Sequence, residues 1–190
     1  MKTLLTLLVL LSSSFVFAED ISDFEIEGMS IGDSLLDFYT KTEIKNARKS
    51  IYPKSNTYYE VWLLSKSVLY EEFAIGIKEN DKTYKIESLN GVKFFENNLK
   101  ECLKFKNNVV NDLKKLFPNI KKNDYEYKYD HVDDGKSIAY ITDFNLSDGA
   151  VRIFCLNWSV VTEKERGWKD SLEVSLSTNV FLDWITNDAQ

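Results

Sequence analysis

Residues Phe94 to Phe117 constrain the fold more than any other stretch. Phe95, Leu99, Cys102, Leu103, Val109, Val110, Leu113, Leu116 and Phe117 recur at spacings of three and four. Lys100, Lys104, Asn107, Asn111, Lys114 and Lys115 occupy the other side of the same wheel, the pattern of a helix with one buried stripe. Pro118 excludes helical geometry from the residue before it, so the helix ends at or just before Phe117. A long helix with a cysteine on its apolar stripe needs a broad apolar surface to lie on. The stretches on either side of it supply one.

Those stretches alternate. Asp23 to Glu27 reads as a short strand that Gly28 breaks. The pairs Ser30/Asp33 and Thr40/Glu43 have capping spacing and predict two short helices. Thr57–Leu64, Val68–Lys78 and Thr83–Leu89 read as strands, with Asn90-Gly91 as the turn into the long helix. Beyond Pro118 come Asp124–Val132, a hairpin turn at Asp133-Asp134-Gly135-Lys136, Ser137–Leu146, Ala150–Trp158 and Ser171–Ser177. Ser159–Asp170 reads as a polar loop carrying Trp168, and Phe181, Trp184 and Ile185 as one side of a closing helix. The expected class is α+β: antiparallel sheet of about seven to eight strands packed on one long helix. A short N-terminal helix pair and a short C-terminal helix complete it.

Lys2, the apolar run Leu4–Leu11 and Val16-Phe17-Ala18 have the layout of a signal peptide over residues 1–18. Residues 19–190 would then form one domain, periplasmic or secreted; the alternative is an uncleaved membrane anchor. No later stretch is long and apolar enough to span a bilayer. Loss of Lys2 takes the formal charge from −6 to −7. Such acidity speaks against nucleic acid and anionic membrane surfaces, both of which call for a basic patch. In an oxidising compartment two cysteines without a C-x-x-C spacing suit a structural Cys102–Cys155 disulfide, with two buried thiols as the alternative.

No motif specifies a named chemistry. His131, the only histidine, stands among Asp130, Asp133 and Asp134; the latter two suit the turn, and no nucleophile accompanies them. Glu71 and Glu72 are adjacent on a strand and point to opposite faces. No calcium loop, phosphate-cradling glycine loop or nucleophile elbow is present, and neither a metal nor another cofactor is predicted. Aromatics are the stronger lead, because a tyrosine combines an apolar ring with a hydrogen-bonding tip. Tyr58, Trp62, Tyr70, Tyr125, Tyr127, Tyr129 and Trp168 are the candidate binding residues; the alternative is cross-strand pairing on an outer sheet face.

The run Asp23-Phe24-Glu25-Ile26-Glu27-Gly28-Met29-Ser30-Ile31-Gly32-Asp33-Ser34-Leu35-Leu36-Asp37-Phe38 resembles the opening of a family of small exported proteins from AT-rich marine bacteria (SAR11-type alphaproteobacteria). The resemblance continues through Gly91-Val92-Lys93-Phe94-Phe95, the Cys102 helix and Asn157-Trp158-Ser159. It implies export, and neither substrate nor catalytic residues. In topology, a Gly-Met-Ser start to a short helix followed by a meander is also similar to the outer-membrane assembly lipoprotein fold and to β-lactamase inhibitory protein modules. This chain lacks the lipidated cysteine of the former. The expected function is an exported binding module for an envelope protein, peptide or glycan. The alternatives are an envelope hydrolase and a carrier of a small apolar ligand.

Overall fold

The computed structural model describes residues 20–189; the signal peptide expected over residues 1–18 lies outside them. The chain opens with a two-strand hairpin, β1 (Glu25–Ile26) and β2 (Met29–Ser30). Glu27 and Gly28 turn it with φ of 53° and 80°, as a tight hairpin turn requires. The first capping pair starts no α-helix. Asp33 accepts from the Ser30 amide, and Ser34 caps a single 3-10 turn, Leu35–Asp37. The second is a full capping box, Thr40 with Glu43, at the head of α1 (Lys41–Asn46).

Eight strands form the sheet: β3 (Arg48–Ser50), β4 (Tyr58–Leu64), β5 (Glu72–Lys78), β6 (Ile86–Phe94), β7 (Lys122–Lys128), β8 (Ile138–Asn145), β9 (Gly149–Asn157) and β10 (Ser171–Thr178). Their order is β3-β4-β5-β6-β10-β9-β8-β7, and every pairing is antiparallel. Two four-strand meanders therefore meet at β6–β10, where Gly91 faces Val174. The remaining helices are α2 (Leu99–Leu116), α3 (Val160–Arg166) and α4 (Asn179–Asn187).

Three expectations change. Asn90-Gly91 is not a turn but the middle of β6, held by ladders to β5 and β10. Gly91 serves close approach there: a Cβ would stand 2.9 Å from the Tyr70 ring. Pairing on both sides outweighs a local turn preference. Second, Ser159–Asp170 is not an open loop, because Ser159 caps α3 and Gly167, at φ 69°, ends it. Third, Arg48–Ser50, not read as a strand from the sequence, forms β3 at the edge of the main sheet, while the Asp23–Glu27 strand pairs only with β2.

Directly opposed residues share a face, so the register divides the sheet in two. One face carries Val61, Phe73, Ile75, Leu89, Val174 and Ile153, all buried in the main core. The N-terminal segment adds Phe24, Ile31, Leu35 and Ile44 to the same core, and α2 lies on β9 and β10. Cys102 of α2 and Cys155 of β9 form a disulfide with Cα atoms 6.0 Å apart. Rings of Phe24 and Phe117, 4.5 Å apart, join the N-terminal segment to the end of α2. Full burial of side chains such as Leu172 and Ile153 stabilises by roughly 1.5–3 kcal/mol each. This face is closed.

Candidate functional site

The opposite face is closed only at its two ends. At one end α4 sits over it: the Phe181 ring comes so close to Gly76 that a Cβ there would lie 2.6 Å from it. Tyr58, Phe181 and Trp184 form the apolar cluster beneath α4. At the other end stands an aromatic wall. Trp158, just past β9, packs on Tyr129 at 5.1 Å and on Trp168 at 4.6 Å, and Tyr129 meets Tyr127 edge-on at 4.8 Å. The hairpin aspartates hold α3, and with it Trp168, against this wall. Asp134 accepts from Ser159 Oγ at 2.6 Å, and Asp133 pairs with Arg166. Arg166 in turn lies 4.9 Å over the Trp168 ring.

Between these ends two rows of side chains cross the strands. The register sets Asp143, Arg152, Ser175, Asn90, Ala74 and Trp62 in the first. The second holds Tyr125, Ile141, Phe154, Glu173, Val92 and Glu72. Ser175, Asn90 and Ala74 are short, so the floor is low where β10, β6 and β5 meet. This band across the strands, a shallow trough by register and side-chain size, has Ala74, Val92, Ile141 and Asp143 buried along it and its other side chains half-buried. At the usual strand spacing of about 4.8 Å it runs roughly 25 Å from β8 to β4.

Most charges in the trough are matched. Arg152 donates to both oxygens of Asp143, at 2.7 and 3.0 Å, and the Tyr125 hydroxyl donates to Asp143 Oδ2 at 3.0 Å. Arg48 pairs with Glu72 while lying 4.3 Å over the Trp62 ring. Glu60, buried under the α4 end, accepts from the Tyr52 hydroxyl at 2.7 Å.

Glu173 has no cationic partner. Among the described residues no Lys, Arg or His lies within ion-pair distance of it. Phe154 and Val92 flank it across the two ladders. Desolvation on the trough floor, with a smaller contribution from the charge of Glu60, pushes its carboxyl up to about 7. The hydroxyl of Ser171 opposes the shift weakly. Asn90 Oδ1, one strand over, is buried with no hydrogen-bond donor. Glu173 and Asn90 thus occupy diagonal positions on the β6–β10 ladder, the first without a cation and the second without a donor to its Oδ1.

Of the seven residues marked in the sequence, the structure brings four together: Tyr125, Tyr127, Tyr129 and Trp168 stand at one side of the trough. Trp62 lines its far end, with its indole donating to Ser50 Oγ at 2.9 Å. Tyr58 and Tyr70 are 5% exposed and belong to cores, under α4 and against Gly91 respectively. Sequence reasoning missed Trp158, Arg152, Asp143, Glu173 and Asn90. Glu173 was legible only as the polar half of an alternating strand, and Asn90 was hidden by its neighbour Gly91.

His131 is largely exposed, 3.8 Å from Asp130. No group of three or more His, Cys, Asp or Glu able to hold a metal ion is found among the described residues. None of their helices is long and apolar enough to cross a membrane. A shallow hollow lined by Leu99, Leu103 and Asn107 lies on α2, across the sheet from the trough, with only lysines for charge. No family model, curated protein or solved structure matches the chain.

Proposed function

We propose that the chain is an exported recognition module that holds an extended segment of a partner protein across the open trough. One observation carries the reading. A sheet whose other face packs into the main core carries two rows of mostly half-buried side chains between α4 and a wall of four aromatic rings. Rigid aromatics with hydrogen-bonding tips, beside polar groups fixed by their own partners, have the composition of a recognition surface. An extended chain rises about 3.3 Å per residue, so the trough accommodates seven or eight residues. The signal-peptide pattern of residues 1–18 and the Cys102–Cys155 bridge support export.

Hydrolysis has weaker support. A two-carboxylate mechanism needs a second free carboxylate beside the acid. Asp143, Glu60 and Glu72 each already accept from Arg152 and Tyr125, from Tyr52, and from Arg48. A small apolar ligand has less still, since the apolar faces of α2 and the sheet are packed into one core.

The four tryptophans provide the test. Trp62, Trp158 and Trp168 line the trough, whereas Trp184 is buried on the inner side of α4 with its indole donating to Ser55 Oγ. Peptides from a digest of cell-envelope proteins, added to the nitrogen-15-labelled protein, are expected to shift the first three indole signals and leave that of Trp184 in place. Shifts confined to α2 amides, or none at any concentration, would refute the reading.

A further inference from the structure

We infer that the partner segment enters the trough with a basic side chain, lysine or arginine, whose cation sits on Glu173 within hydrogen-bonding reach of Asn90. This rests on the trough being a recognition site and names what it recognises.

The argument is one of complementarity. Every other charged group on the open rows has its counterpart within the face: Arg152 with Asp143, and Arg48 with Glu72. These pairs flank Glu173 on both sides, from β9 and β8 and from β5 and β3. Glu60 from β4 adds a second negative charge, and Tyr129 closes the β7 side without adding positive charge. Glu173 is therefore the one carboxylate of these two rows with no cationic partner among the described residues, its desolvation opposed only by the hydroxyl of Ser171. Asn90 Oδ1 is an acceptor in need of a donor, and it stands on the residue diagonal to Glu173 across the β6–β10 ladder. Such diagonal neighbours lie within reach of one bound group.

An ammonium or guanidinium supplies what is missing, namely positive charge and several donors on one centre. The surroundings also suit its stem. Phe154 and Val92 flank Glu173 as apolar sides, and long basic side chains bury their methylenes along such surfaces. A sugar hydroxyl could donate to Glu173 but would leave its charge unmatched. An acidic segment would add repulsion, and a neutral one could donate to either acceptor but would leave the charge of Glu173 unmatched.

The test uses immobilised nonapeptide libraries with randomised flanks and a fixed central residue: lysine, arginine, Nε-acetyl-lysine, glutamine or glutamate. A hexasaccharide of N-acetylglucosamine is assayed in parallel. At pH 8 the lysine and arginine libraries are expected to retain the protein about tenfold more strongly than the acetyl-lysine and glutamine libraries. Glu173→Gln is nearly isosteric and should abolish that preference while leaving weak binding that Trp168→Ala removes. Lowering the pH to 6 should weaken retention of the wild type and not of the variant. Binding to all libraries alike, or an undiminished cation preference in Glu173→Gln, overturns the inference while leaving the trough a peptide site. Retention by the hexasaccharide alone, sensitive to Trp168→Ala, overturns the peptide reading as well. Retention by none overturns both.

Discussion

Arg152 and Asp143 face each other directly across the β8–β9 ladder, joined by two hydrogen bonds of 2.7 and 3.0 Å. The pairing fixes the cation nearest to the middle of the trough on a carboxylate other than Glu173. Asp143→Asn removes the charge that holds it. The guanidinium is then expected to turn toward Glu173, lowering the midpoint of Glu173 ionisation and weakening binding of lysine-centred peptides severalfold. Because the Arg152 side chain is 41% exposed, the stability cost should be only about 1–2 kcal/mol, measurable by urea unfolding.

Glu173 should also shape stability against pH. A carboxyl whose folded value is raised binds its proton more tightly in the native state, so stability falls as pH rises from the unfolded value toward about 7. Glu60 and Asp170, also raised by burial, act in the same direction. Asp81, Asp124 and Glu43 are lowered by hydrogen bonds and act oppositely, withdrawing stability in acid. Maximum stability is expected near pH 5. Glu173→Gln should match the wild type there and exceed it at pH 8 by roughly 1–3 kcal/mol. Paired urea titrations at the two pH values decide this.

The disulfide spans a separation of 53 residues. In the chain-entropy account, replacing both Cys102 and Cys155 by alanine should cost about 4 kcal/mol. The trough lies on the face away from α2, so peptide binding by the folded fraction should be unchanged. Urea unfolding and the indole spectra report the two effects separately.

Gly91→Ala should destabilise, although alanine normally improves on glycine in an extended strand. The new Cβ would meet the Tyr70 ring at 2.9 Å, and overpacking of this kind costs roughly 1–3 kcal/mol. Thermal unfolding that shows no loss would mean that the ring moves aside freely.

How much of this was readable from the sequence follows the range of the interactions. The long helix, the capping box at Thr40 and the alternation in β8, β9 and β10 depend on neighbours a few residues away, so they were visible. The central β6–β10 pairing joins residues some eighty positions apart, and no local pattern encodes it. Asn90-Gly91 shows the consequence: its local preference is a turn, and two ladders hold it extended. The candidate site divides in the same way. Tyr125, Tyr127 and Tyr129 announce themselves as one face of one strand, whereas Glu173 gains its character only from Phe154, Val92 and Glu60 on three other strands.

The central claim, that Glu173 is an unmatched carboxylate awaiting a cation, is tested most directly by carbon-13 titration of its side-chain carboxyl with and without saturating lysine-centred peptide. The account predicts a midpoint near pH 7 in the free protein and one below pH 6 in the complex. A midpoint near 4.5 in the free protein, or one that the peptide leaves in place, would contradict it.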